Sequence, residues 1–535
     1  MELPNLLPVD PKGPTTRGVT FAVYAPFGGD EVLSTFPDGS TSGLAQHPLF
    51  KSLLKVAECG VHVAALIDRV DDDSWLVEIP GGRPADMRVT SRWKQQMGSP
   101  RTLAGLLRQA HAAHPEAALV LALEGHGAGF LPEIDARQIT AANLTRGDVS
   151  WHITPGSTAP TLPMGGPLLP MGGPLLPGNA PLSTYGLGAA LKLAIDSEVP
   201  KLSVIHFNNC FNMSVEVLHT VAPHAHYAAG YLNYNFFTSG ESYPAVFSKL
   251  AAAGSASAEQ LAQWFSDENH KPLAAKGNHP TVGGVVQLAR MQGIAERIDD
   301  LADALLSALR TVNASGRPAV ISRIRSAIIR AQQFDSETPM ALETPDQLTD
   351  IFSFATTLLG FDFGPHKVHS AAQALQKALQ GIKRYGDDDA PWPAPDQRWN
   401  FLSPKLAMNI FLPDPLLTGL WDWRSPYYLD VNPDPTLPRV QPHIIEFLKV
   451  TDWVDFILEY HKETKFVGLL PARIPDFPVY NPKYVPPKAE DPGCPTDGQQ
   501  PGGDPPVGVP GTVPGPAPAD DKGGLTGGPA PRATR

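Results

Sequence analysis

A chain of 535 residues with 42% hydrophobic residues can bury a large core, and about two to four domains are expected at that length. A net charge of -12 argues against a broad nucleic-acid-binding face, and no apolar run approaches the length of a membrane span. Three scattered cysteines, Cys59, Cys210 and Cys494, fit neither a disulfide framework nor a zinc ribbon, and Met-Glu-Leu-Pro-Asn at the start lacks the pattern of a signal peptide. The expected setting is therefore reducing and cytoplasmic.

Residues 1–17 read as a flexible, proline-punctuated lead-in. Val19 to Pro26 is a β-rich run, followed by a helix over Pro48 to Glu58 and a second strand over Val61 to Val70. Trp75 to Ile79 and Met87 to Thr90 suggest a small hairpin-like excursion. Ser99 or Pro100 starts a helix whose apolar positions Leu103, Leu106, Leu107 and Ala110 keep helical spacing, and Pro115 ends it. Ala117 to Leu123 is a third buried strand, running into Glu124-Gly-His-Gly-Ala-Gly129. The glycines flanking His126 allow a sharp turn and close approach of another group. A lone loop histidine is more often solvated than catalytic.

From 131 to 181 the chain is irregular and holds two copies of the heptapeptide Pro-Met-Gly-Gly-Pro-Leu-Leu, from Pro163 and from Pro170. Two copies are too few for a solenoid, so this is read as an exposed loop. A helix over Thr184 to Ser197 leads to Lys201-Leu-Ser-Val-Ile-His-Phe-Asn-Asn-Cys210, a buried strand that stops at Asn208-Asn209. A helix over Ser214 to Val221, a strand over Tyr227 to Tyr231 and a loop over Thr238 to Pro244 follow. Residues 256–385 read as mostly helical, with Ile298, Leu301, Leu305 and Leu309 on one stripe and a second run over Ile321 to Phe334. A last strand over Leu406 to Leu412 and an amphipathic helix over Ile444 to Tyr460 close the ordered part. From about Asn481 the Pro/Gly/Asp-rich composition predicts disorder.

Strand and helix alternate from 19 to 230, which predicts a mostly parallel sheet covered on both faces. In such a sheet His126 and Cys210 end two strands on the same rim, where open α/β folds gather their chemistry. Free cysteine is most often a small buried hydrophobe. Beside an imidazole, however, a thiol loses its proton more readily and becomes a nucleophile. The backbone amides of Gly127 and Cys210 are natural oxyanion donors in that arrangement.

These blocks, in this order, resemble the clostripain family of cysteine peptidases in the caspase-like clan. They are Asp68-Arg69, Met97-Gly-Ser-Pro-Arg-Thr-Leu103 with His114-Pro115, Gly125-His-Gly-Ala-Gly129, Asn208-Asn-Cys-Phe-Asn-Met-Ser-Val-Glu216 and Gly240-Glu-Ser-Tyr-Pro244. Weaker echoes run through Arg325 to Phe334 and around Trp453, so the likeness spans most of residues 18–462. The resemblance implies a caspase-like α/β/α sandwich over 18–275, with 131–181 as an inserted loop. A helix-rich region over 276–480 packs on that core, and a disordered tail covers 481–535. It implies a His126–Cys210 dyad that hydrolyses peptide bonds through a thioester acyl-enzyme, with self-cleavage in 131–181. Relatives that cut after Arg or Lys carry an acidic residue two positions before the nucleophile, as part of the S1 pocket. Asn208 stands there in this chain, so a weaker basic preference is expected. A protein or peptide substrate is implied, with a gasdermin-like pore-forming partner in antiphage defence as one expected role.

Some relatives require calcium, but no Asp-x-Asp-x-Asp-Gly loop occurs, so no calcium site is assigned and no cofactor is expected. His219, His224 and His226 lack a completing carboxylate or cysteine and are read as a solvated loop around Pro223. No Gly-x-Ser-x-Gly elbow, His-Glu-x-x-His helix or phosphate loop is present. The alternative is a catalytically silent caspase-like scaffold whose Pro-rich tail docks SH3- or WW-like partners.

Overall fold

A computed structural model of the chain describes residues 18–27, 44, 47–68, 75–90, 97–125, 127, 129–131, 182–233, 235, 240–275, 282–312, 315–334, 348–384, 406–412 and 444–463. The chain forms a large compact unit, Met1–Pro486, and a separate unit, Pro487–Arg535. His126, residues 132–181 of the expected insert, Cys494 and the whole tail lie outside the described residues.

The large unit is built on one nine-stranded sheet. Its strands are β1 (Val19–Pro26), β2 (His62–Asp68), β3 (Trp75–Ile79), β4 (Arg88–Thr90), β5 (Ala118–Glu124), β6 (Leu202–Asn208), β7 (Ala225–Tyr231), β8 (Gly283–Gln287) and β10 (Lys383–Arg384). The spatial order is β10-β8-β7-β6-β5-β1-β2-β3-β4. The five central strands, β7 to β2, pair in parallel. β3 and β4 add antiparallel at one edge, β8 and β10 at the other. Strands buried on both faces are mostly apolar, and β1 has Phe21, Val23 and Ala25 toward one core and Ala22 and Tyr24 toward the other, with Thr20 also buried.

Each face has its own layer of helices. On the first lie α1 (Pro48–Glu58), α5 (Tyr243–Ala253) and α6 (Ala258–Ala275), with Leu49, Leu53, Phe247 and Phe265 buried against the sheet. On the second lie α2 (Pro100–Ala113), α3 (Thr184–Ile195) and α4 (Val215–Val221). In α2, Leu103, Leu106, Leu107 and Ala110 are all fully buried, as their spacing predicts. Ser183 and Ser214 start α3 and α4 by accepting hydrogen bonds from the amides of Gly186 and Val217. This is the caspase-like three-layer arrangement that the resemblance implies.

The later helices α7 (Met291–Thr311), α8 (Arg317–Arg330), α9 (Ile351–Leu358), α10 (Val368–Leu379), α11 (Glu446–Val450) and α12 (Trp453–Glu463) extend the second core without a break. Between them, β9 (Leu348–Asp350) pairs antiparallel with β11 (Asn409–Phe411) as a separate two-stranded sheet.

The structure corrects several expectations. Residue 275 is no boundary of the sheet, because β8 and β10 complete its edge from beyond that point. The region 256–385 is mostly helical, as expected, but also supplies strands; Gly283-Gly-Val-Val-Gln287 is too short a run to stand out between long helices. Residues 75–79 and 88–90 extend the main sheet instead of forming an excursion. The terminal helix is two helices, interrupted at Thr451-Asp452. Among the described residues no helix is long and apolar enough to cross a membrane.

Candidate active site

β5 and β6 are parallel neighbours in register, with Glu124 opposite Asn208 as the last pair. The chain leaving β5 and the chain leaving β6 therefore meet at one rim. Two residues past Asn208, Cys210 is 8% exposed, at the head of the turn into α4. Gly127 lies flat against it. A Cβ placed on Gly127 would come within 2.1 Å of the Cys210 carbonyl oxygen and 2.9 Å of its nitrogen, so only glycine fits. His126 itself is outside the described residues, but the residue after it touches the candidate nucleophile.

The sulfur is held by backbone. The Asn235 amide donates to Cys210 Sγ at 3.3 Å, and the thiol faces the Asn235 carbonyl at 3.9 Å. Burial pushes the Cys210 thiol up to about 12, against the pull of hydrogen bonds from the Asn235 and Gly127 amides. At neutral pH the thiol keeps its proton in this arrangement. Of the two amides expected to serve as oxyanion donors, that of Gly127 is thus directed at the sulfur.

Below the sulfur lies a buried polar cluster that the sequence did not reveal. The Asn208 carboxamide nitrogen donates to both Glu124 carboxylate oxygens at 3.0 Å. Its oxygen accepts from Asn235 Nδ2 at 2.9 Å and from Asn269 Nδ2 at 2.8 Å. The Tyr243 hydroxyl donates to Glu124, and Ser242 donates to Asn269 Oδ1 at 2.6 Å. His206 places Nδ1 on the Ala229 carbonyl at 3.2 Å and Nε2 by Asn269 Nδ2 at 3.4 Å. That geometry suits the neutral ring, and burial lowers the His206 pKa to about 3 despite the bond to Ala229. Burial likewise raises Glu124 to about 7, opposed by its bonds from Tyr243 and Asn208. Tyr243 is raised well above its usual range by burial first and by the Glu124 charge second.

Asn208 is fully buried, so its side chain presents no open face to a substrate. Its carboxamide is taken up by this cluster, with both Glu124 carboxylate oxygens 3.0 Å from its nitrogen. Glu124 could have been noticed as a single charge ending the apolar run Ala118-Leu-Val-Leu-Ala-Leu, and His206 as a single imidazole inside a buried strand. Nothing local marks Asn235 or Asn269.

The three histidines near Pro223 do not share one environment. His219 is buried on α4 with its ring 5.9 Å from that of Phe447, which corrects its expected solvation; His224 is half-buried and His226 exposed. Among the described residues no group of three His, Cys, Asp or Glu could hold a metal ion. Cys59 is half-exposed with its sulfur 3.6 Å from Ser248 Oγ.

Comparison with known proteins follows the same lines. None of the curated proteins matches the chain significantly. Among solved structures, a secreted C11 cysteine protease from Bacteroides thetaiotaomicron, in complex with an irreversible peptide inhibitor, is 13% identical. It covers 74% of this chain and 92% of its own, with a TM-score of 0.43. An inactive zymogen C11 protease from Parabacteroides distasonis is 14% identical, covering 77% of this chain and 99% of its own, with a TM-score of 0.45. The sequence model of the Clostripain family (Peptidase C11) matches residues 178–430, a stretch that includes Asn208 and Cys210 and begins after His126. Over residues 178–430, then, the chain is similar to the clostripain family, and that stretch contains the Asn208 to Glu216 block of the resemblance.

Proposed function

We propose that the chain is a cysteine endopeptidase in which Cys210 is the nucleophile and His126 its base and later its acid. The observation that carries this reading is the contact of Gly127 with the Cys210 backbone. It brings the loop of residue 126 to a thiol at the C-terminal ends of two parallel strands. A thiol held up to about 12 cannot act alone near neutrality, so a neighbouring base must take its proton. The thiolate then adds to the scissile carbonyl, and the backbone amides of Gly127 and Cys210 receive the oxyanion. The imidazolium protonates the leaving amine, leaving a thioester on Cys210. Water, deprotonated by the imidazole, hydrolyses the thioester and returns the thiol.

Cleavage of a proteome-derived peptide library by wild type, Cys210→Ala and His126→Ala tests this. Cuts made by wild type and by neither variant are expected. A wild type that cuts nothing and whose Cys210 resists thiol probes would favour the silent scaffold. The same library reads the residue before the cut. Weak preference for Arg or Lys is proposed, on the neutral Asn208 amide and a Glu124 carboxylate already occupied by Asn208 and Tyr243. Self-cleavage within 131–181 rests on the resemblance and on the Pro/Gly-rich composition of that stretch. Equal intact masses of wild type and Cys210→Ala would exclude it. Limited proteolysis of a gasdermin-like partner in a cytoplasmic setting rests on the resemblance alone, and co-expression with such a partner, followed by blotting for its cleavage, tests it.

A further inference from the structure

Cys210 is followed by an unusual residue. Phe211 has φ 59°, a left-handed conformation that an aromatic side chain adopts only where its surroundings impose it. Its amide donates to the Asn233 carbonyl at 3.0 Å. Its carbonyl accepts from Asn409 Nδ2 at 2.9 Å, and the same nitrogen donates to the Leu232 carbonyl at 2.8 Å. One carboxamide therefore ties the loop after β6 to the loop after β7, and these are the two loops that contact the sulfur, through Cys210 itself and through Asn235.

Asn409 is fully buried, and the strand it begins is stitched down on both sides. Its main-chain amide donates to the Met213 carbonyl at 3.1 Å, and it forms a parallel bridge with Ser214. Two residues on, the Phe411 amide donates to Glu216 Oε1 in the first turn of α4 at 2.9 Å. The Phe411 carbonyl accepts from Trp453 Nε1 of α12 at 3.1 Å. Asp350 in β9 accepts the Ala407 amide at 2.8 Å, just ahead of the strand.

We propose that Asn409 is a positioning residue for Cys210: its carboxamide holds Phe211 in the left-handed conformation, so the nucleophile is set only when β11 is docked. The kinetic half of this rests on the peptidase reading above; the structural half does not. The energetic logic is that both Nδ2 hydrogens meet carbonyls with no solvent to replace them, so loss of the donor leaves two buried acceptors to rearrange. The Phe211 carbonyl is one of those two acceptors, so the rearrangement reaches the turn beside Cys210 directly.

The test compares full-length wild type with Asn409→Asp, which keeps the shape and loses the donor, and with Asn409→Ala. Leu375→Ala, in the core of α10, serves as a packing control. Hydrogen exchange at the Phe211 and Met213 amides and peptide kinetics are the readouts. Both Asn409 variants are expected to speed that exchange at least tenfold and lower kcat by about 100-fold, the scale of a nucleophile displaced by roughly 1 Å, with KM nearly unchanged. Leu375→Ala is expected to change neither. If Asn409→Asp fails to fold, Asn409→Ala, which also lacks the donor, carries the same expected exchange. Unchanged exchange in the Asn409 variants, or equal changes in Leu375→Ala, would overturn the proposal. Should wild type cleave nothing, the exchange data alone decide the clamp, and the failure belongs to the peptidase reading.

Discussion

Replacing Glu124 by Gln should make the protein more stable relative to wild type as pH rises. The carboxyl is 1% exposed and its pKa is raised from 4.5 to about 7, chiefly by burial. A raised carboxyl pKa means the folded state binds the proton more tightly than the unfolded state. Its stabilising effect is complete below about pH 4.5 and is lost as pH climbs through 7. At about 1.36 kcal/mol per unit, keeping the charge buried costs the folded state about 3 kcal/mol above that range. Between pH 6 and pH 8 the loss amounts to about 1 kcal/mol. The Gln side chain keeps an oxygen for Tyr243 and gives up one acceptor of Asn208 Nδ2, a fixed cost of about 1 kcal/mol that does not vary with pH. Buried groups elsewhere, such as His62 and Asp350, titrate equally in both proteins and cancel in the difference. Urea unfolding followed by tryptophan fluorescence at pH 6, 7 and 8 measures it. A difference between variant and wild type that stays flat across that window would refute the reasoning.

Other outcomes follow from the same site. Asn208→Asp would set a second carboxylate about 3 Å from Glu124; the pair shares a proton, and stability should fall by about 2–3 kcal/mol more at pH 8 than at pH 5 in the same unfolding assay. Gly127→Ala forces a Cβ onto the Cys210 backbone, so peptide cleavage should drop at least as far as in His126→Ala while the far-UV spectrum persists. In the cysteine-labelling profile of folded His126→Ala, where no base takes the proton, half-exposed Cys59 should react at neutral pH before Cys210, whose sulfur is buried and protonated; prior labelling of Cys210 there would contradict the geometry. Ser214→Ala removes the cap of α4 and should cost about 1 kcal/mol in the unfolding assay, since Ser214 Oγ holds the Val217 amide at 3.2 Å.

The parallel core was legible because β1, β2, β5 and β6 are short apolar runs separated by helical periods, a pattern set by burial on both faces. The rim position of Cys210 followed from where its strand stops. What escaped was non-local. Asn208 reads as a free amide in sequence, yet it is the hub joining Glu124, Asn235 and Asn269, none of which lies near it in the chain. β8 and β10 were missed because antiparallel edge strands of a few residues leave little periodic trace among helices. Asn409 carries no signal at all, since its partner carbonyls belong to backbone that any residue could supply.

The Asn409–Phe211 bond spans 198 residues of chain. A ribosome adding about 5–20 residues per second needs roughly 10–40 s to travel that distance. During that interval the thiol has been synthesised while the turn beside it lacks its anchor. Nascent chains, and products truncated before β11, thus hold every strand of the parallel core without a finished nucleophile turn. For a chain read as a peptidase, the order of synthesis itself delays competence until nearly all of the described residues have been made.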